Sequence, residues 1–186
     1  MRKQPVLLVI ACLLGCGETP QVREYVVPRE EERLVTTEAL RSSYSVMPFQ
    51  WKVPAEWRSV ENDEFSKKAW TAGSGQPAVQ AKITITDLPA SAGLKPQIDR
   101  WAGQIKLDPK AAEEALQAME QLPLGDADGS WVELKGEQET ILGMIIPVND
   151  VLWIVKYRSV NPTAEQLRSS FRGFCESLKV ENAGKG

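Results

Sequence analysis

Histidine is absent from the 186 residues. With it go the commonest general base, the commonest transition-metal ligand and every Ser-His or Cys-His pair. The Ser-x-x-Lys acylase pattern, which needs no histidine, is missing too: no serine is followed three residues on by lysine. No glycine-rich phosphate loop follows a strand-like segment. Cysteine is scarce, with three in all. Carboxylate or lysine chemistry stays open in principle, but no motif points to it. The reading is of a protein without catalytic activity, cofactor or metal.

What the N-terminus does hold is an export signal. Met1-Arg2-Lys3-Gln4 is basic, residues 6–14 form an uncharged run of nine, and the run closes on Leu13-Leu14-Gly15-Cys16. Nine residues suit the apolar region of a signal peptide and fall far short of the ~20 that span a bilayer. The closing tetrapeptide resembles the lipobox of bacterial lipoproteins. The small Gly15 lets the peptidase reach the bond, and the Cys16 thiol is the nucleophile that takes the diacylglyceryl group. Val9-Ile10-Ala11-Cys12 fits the same pattern but leaves an apolar run of only six residues, below the usual minimum. An ordinary secretory signal with two incidental cysteines, or an uncleaved anchor, is the plain alternative. The resemblance implies removal of residues 1–15, palmitate-type acyl chains on Cys16, and attachment to the periplasmic or outer face of an envelope membrane. One chain binds marginally at ~0.8 kcal/mol per buried methylene, so the two or three of a lipoprotein make the anchoring stable.

The chain carries 22 Lys+Arg against 25 Asp+Glu, and loss of Arg2 and Lys3 leaves 20 against 25. This mild acidity, with both signs mixed, argues neither for nucleic acid nor for clamping to anionic lipid. With Cys16 lipidated, Cys175 has no partner for an intrachain disulfide and reads as a buried free thiol. Residues 16–40 read as a flexible tether. Pro20 and Pro28 break it, Arg29-Glu30-Glu31-Glu32-Arg33 charges it, and its few apolar residues are unpatterned. Residues 41–181 read as one domain and residues 182–186 as a disordered tail.

Within the domain, Met47, Phe49, Trp51 and Val53 alternate with polar residues and Pro48, as an edge strand does. Residues 65–72 form a weaker strand. Val79, Ala81, Ile83 and Ile85 alternate most cleanly of all. Leu94, Ile98, Trp101 and Ile105 share one helical face, in a helix starting near Pro96 and stopped by Asp108-Pro109. Residues 111–122 are ambiguous between helix and strand. Trp131 opens a short strand, and residues 141–148 are apolar on both faces, like a covered central strand. Asn149-Asp150 reads as a two-residue type I′ hairpin loop to a second central strand, residues 151–160. Asn161-Pro162 then reads as N-cap and first position of a helix whose core stripe is Ala164, Leu167, Phe171, Phe174 and Leu178.

Two constellations invite more. Asp126, Asp128, Ser130 and Glu137 suit positions 1, 3, 5 and 12 of a calcium loop, but position 6 is Trp131 where the turn needs glycine. A turn using Asp128-Gly129 between strands is the plainer reading. Of the six tryptophans, Trp51 and Trp101 read as core. Trp57 and Trp70 read as core or as the rim of a ligand groove.

The apolar strand leading to Pro54-Ala55-Glu56-Trp57, the long hairpin over residues 141–160 and the closing Phe171-Arg172-Gly173-Phe174-Cys175-Glu176-Ser177-Leu178-Lys179 resemble the PsbP-like fold. Photosystem extrinsic proteins, bacterial DcrB-type lipoproteins and small nuclear-transport factors share that fold. The resemblance spans residues 49–180 and implies an α+β protein, an α/β/α sandwich with helices packed on a twisted, mostly antiparallel sheet. It implies binding or assembly roles, and no functional residue transfers with it. The expectation is a lipid-anchored envelope module with a protein partner. The alternative is a binder of a small apolar or lipid-like ligand.

Overall fold

The computed structural model describes residues 47–180. The signal peptide, Cys16, the tether and the tail lie outside the described residues. Strands β1 (Phe49–Gln50), β2 (Arg58–Ser59), β3 (Ser66–Ala72) and β4 (Ala81–Pro89) come first, followed by helices α1 (Leu94–Gln104) and α2 (Pro109–Gln117). Then come β5 (Glu120–Pro123), β6 (Asp128–Lys135), β7 (Glu139–Val148) and β8 (Val151–Val160), helix α3 (Asn161–Glu176) and β9 (Lys179–Val180). Seven strands form one sheet in the order β2-β3-β4-β8-β7-β6-β5, with β1 and β9 in a separate two-stranded ribbon. Every strand pairing is antiparallel.

Alternation decides which side each residue serves. On one side of the sheet Ile83, Ile85, Leu142, Met144, Ile146, Trp153, Val155 and Tyr157 meet Phe171 and Phe174 of α3. On the other, Val132, Leu134, Ile141, Ile145, Leu152 and Ile154 meet Ile98 and Trp101 of α1 and Ile105 just past its end, with Ala115 and Leu116 of α2 alongside. Two apolar faces, each covered by helix, make the α/β/α sandwich. Gly143 lets α1 approach: a Cβ there would sit 2.3 Å from Trp101 Cζ3.

Several expectations are refined by particular contacts. The ambiguous residues 111–122 are helix and then strand, α2 followed by β5. Helix α1 ends at Gln104, before the expected stop at Asp108-Pro109, with Lys106 at φ 54° just beyond it. Asp108 instead caps α2, its carboxylate accepting from Lys110 N at 2.8 Å. The first strand shrinks to β1, since only Phe49 and Gln50 find partners on β9. Val79 lies in a 3₁₀ turn, with β4 starting at Ala81. In the β7–β8 loop only Asn149 takes positive φ, at 54°, so the turn is not type I′, which needs it at both positions. Asn161 does not cap α3. Its amide instead accepts from Thr140 Oγ1 at 2.8 Å and donates to the Gly136 and Glu137 carbonyls at 3.1 and 3.0 Å. The side chain is spent on closing the β6–β7 turn. That leaves Pro162, whose fixed φ suits the first helical turn, to start the helix.

Candidate functional site

The α1-side face of the sheet is not covered to its end. Along β8 it presents Leu152 and Ile154, both buried under α1, and then Lys156 and Arg158. On the neighbouring strand Thr84 pairs with Lys156 and Lys82 with Arg158. Paired residues share a face, so two strands place three cations and a hydroxyl side by side. Helix α1 stops at Gln104, and the space beyond it is a cleft of about 360 Å³ lined by Asp63, Lys82, Thr84, Gln104, Lys156 and Arg158. A second hollow of about 350 Å³, lined by Gln104, Ile105, Lys106, Glu137, Gln138, Glu139 and Arg158, adjoins it through Gln104 and Arg158.

The cations are held firmly. Arg158 donates through Nε and Nη2 to the two Glu139 oxygens at 3.1 and 2.6 Å, and through Nη2 to the Gln104 carbonyl at 3.3 Å. That carbonyl belongs to the C-terminal end of α1, whose dipole favours positive charge. Lys82 pairs with Asp63 at 3.1 Å. Asp63 accepts from Ser66 N at 2.9 Å and Phe65 N at 3.2 Å. The Ser66 hydrogen bond first, and Lys82 second, hold its carboxyl down to about 2.

Lys156 is the exception. Its ammonium lies 5.7 Å from the centre of the Trp101 ring and donates to the Gln104 amide oxygen. Among the described residues it forms no ion pair with a carboxylate. Burial pushes its pKa down to about 8, and Arg158, Arg100 and Lys82 push it the same way, with Glu139 alone opposing. An ammonium that is desolvated, crowded by cations and partnered only by an amide is stabilised by whatever brings negative charge.

The residues expected to matter are elsewhere. Trp57 and Trp70 are 7 % and 5 % exposed, their rings 6.2 Å apart and 4.8 and 5.7 Å from Phe174. They line neither hollow and fill the core beneath α3, so the core reading describes them and aromatic packing takes the place of a groove. Cys175 is a buried free thiol, its pKa raised well above normal by desolvation. Of the calcium-like set, Asp128 and Ser130 lie along β6, paired with Pro123 and Gln121, and Glu137 lies past its far end. The turn runs through Gly125 at φ 85°, not through Gly129, which is inside β6. A Cβ on Gly129 would meet Met144 Sδ at 2.5 Å. Among the described residues no group of three or more Cys, Asp or Glu side chains converges as for a metal ion. No described helix is long and apolar enough to cross a membrane.

The cleft itself went unread in the sequence. Lys82 and Arg158 are 76 positions apart and meet only through strand pairing. The one local signal is the change along β8 from Leu152 and Ile154 to Lys156 and Arg158 at alternate positions, apolar and then basic on a single face.

No protein-family model matches the sequence, and no curated protein does. Solved structures similar to this one include LpqN, involved in cell envelope biogenesis of Mycobacterium tuberculosis, at 11 % identity and a TM-score of 0.46, over 70 % of this chain and 82 % of that one. They also include cyanobacterial PsbP (CyanoP) from Synechocystis, at 13 % identity and a TM-score of 0.45, over 72 % of this chain and 87 % of that one. The second bears the name of the fold that the sequence resembles. Likenesses this shallow concern fold alone and carry no argument about function.

Proposed function

We propose that the protein is a non-catalytic binding module of the bacterial envelope, carried on lipid at Cys16, which meets its partner through the basic cleft. The observation that carries this reading is Lys156, a desolvated cation lining the cleft whose partners are the Gln104 amide and the Trp101 ring and not a carboxylate. Holding it there costs stability, and an incoming negative group offsets that cost. The lipobox pattern of residues 13–16 supports the anchor. An apolar or lipid-like ligand as a whole suits the cleft less well, because side chains with polar ends line it and ligand pockets of that kind are mostly apolar.

Two experiments test the reading. In the first, a photoreactive residue replaces exposed Gln138 in the hollow adjoining the cleft, and a second variant carries it at exposed Ser169 on the outer side of α3. Irradiated membranes should give one reproducible cross-linked product from position 138 and none from 169. Identical products from both, or none from either, would remove this side of the molecule as the face that meets a protein partner. In the second, metabolic labelling with an alkyne fatty acid reads the anchor. Wild type and Cys12→Ser should label, and Cys16→Ser should not. The reverse pattern would place the lipid on Cys12.

A further inference from the structure

We propose that the cleft binds a phosphate ester, with Lys156 at the centre and Lys82 and Arg158 beside it. This rests on the cleft being the binding face and names the chemistry it holds. Lys82, Lys156 and Arg158 line the cleft with three positive charges, against Asp63 on the same lining and Glu139 on the adjoining hollow, where Arg158 engages it. An anion meets the remaining positive charge, and a phosphate monoester, with close to two negative charges near neutral pH, meets it most strongly. A metal ion would be repelled.

Donor geometry favours the same group. The cations reach the cleft from two neighbouring strands, β4 and β8, and stand together on one face of the sheet. Lys156 and Lys82 act as compact charges and Arg158 as a fixed fork. Thr84 adds a hydroxyl on the same face. A hollow of about 360 Å³ accepts a phosphate with a small alcohol attached. The neighbouring hollow past Gln104, with Gln138 and Lys106 on its walls, extends the space for the rest of the ester. Both strands lie in the middle of the sheet, so the site is preorganised. That limits the ordering cost of binding.

Protonation follows. Lys156 faces Arg158 on its own strand, Lys82 on β4, Arg100 on α1, and the carboxylates of Glu139 on β7 and Asp63 beside β3. The net field is positive, and an anion reverses it. Binding therefore restores the full charge of Lys156 and weakens as the pH rises past about 8, where the free amine forms.

The test reads Lys156 directly. Full-length protein in a non-ionic detergent is treated at pH 8 with an amine-acylating reagent, and each lysine is followed by peptide mass spectrometry. Lys110, with its side chain 86 % exposed, is the internal reference. Inorganic phosphate or glycerol phosphate, against chloride at equal ionic strength, should slow labelling of Lys156 hyperbolically. The slowing should reach about tenfold at about nine times the half-effect concentration, with Lys110 unchanged. Protection by phosphatidic acid vesicles but not by the soluble esters would make the phosphate a lipid headgroup. Protection by the esters would make it a soluble ligand. Equal labelling in phosphate, glycerol phosphate, phosphatidic acid, chloride and phosphatidylcholine would overturn the proposal. So would protection that persists in the Lys82→Gln, Arg158→Gln double variant. If cross-linking from position 138 survives while protection fails, the phosphate is wrong and the binding face stands. Protection without any cross-linked product leaves the phosphate standing and removes the protein partner.

Discussion

The two faces of the central sheet are built differently, and strand β8 belongs to both. Toward α3 it turns Trp153, Val155 and Tyr157 into a continuous aromatic core. Phe171 alone has the rings of Tyr157, Trp131 and Trp57 at 5.2, 5.6 and 6.3 Å. Toward α1 it turns Leu152 and Ile154, and then Lys156 and Arg158. One face is closed over its length, while the other is closed by aliphatic packing until α1 ends and is then left to charges. Stability is concentrated on the first face, and the end of the second gives up stability for an open, electrostatically loaded surface. Residues of the same strand, two positions apart, are thus under different demands.

The largest effect that breaks this contrast is removal of Phe171. It is wholly buried at the centre of the ring cluster, and Phe171→Ala leaves a cavity that tryptophans cannot collapse into. The expected loss is about 3–5 kcal/mol in urea unfolding. A loss under about 1 kcal/mol would mean that the α3 face is not the stabilising one. A smaller effect is expected on the other face, at Gly143. Alanine there meets the Trp101 ring, because the Cβ would lie 2.3 Å from Cζ3. Helix α1 must lift or the indole must turn, at a cost of about 1–3 kcal/mol. Since Trp101 is also the ring beneath Lys156, Gly143→Ala should raise Lys156 labelling by amine reagents as well. Unchanged labelling would show that the floor of the cleft does not depend on α1 seating.

Most of the scaffold was legible because periodicity reports burial locally. The stripe of Ala164, Phe171, Phe174 and Leu178 and the alternation of Ala81, Ile83 and Ile85 each record one buried face. Residues 111–122 defied a single assignment because they hold two elements, a helix of strong formers and an edge strand whose only partner is β6. Asn161 misled because an asparagine before proline suits a cap, while its amide had better partners 24 and 25 residues earlier in the chain. The cleft was illegible for another reason. It is a property of register, which pairs Lys82 with Arg158 and Thr84 with Lys156, and of where α1 stops. Trp57 and Trp70 read as core or groove rim because their neighbours in sequence are turns, and only the tertiary structure shows Phe174 against both.

The smallest expected effect is also the one that sharpens the comparison most, because its sign is opposite to the others. Lys156 has a folded pKa of about 8 against an ordinary value of 10.5. Its charged form is therefore penalised in the fold, and the penalty is fully present below pH about 8. As the pH rises from there toward the unfolded value, the folded protein sheds the proton first and the penalty is relieved. Lys156→Met keeps the chain's length and its contact with Trp101 while removing the charge. It should be more stable than wild type at pH 7, by about 1–2 kcal/mol, the loss of the Gln104 hydrogen bond holding the gain below the full value of the shift. Urea titrations between pH 7 and 10.5 should show the two curves converging as wild type gains stability. Removal of Phe171 should give a loss of similar size at both ends of that range, since no charge is involved. A Lys156→Met protein that is less stable than wild type at pH 7, or a gap that stays constant to pH 10.5, would show that the cleft carries no electrostatic strain. The two faces of the sheet would then differ in shape alone.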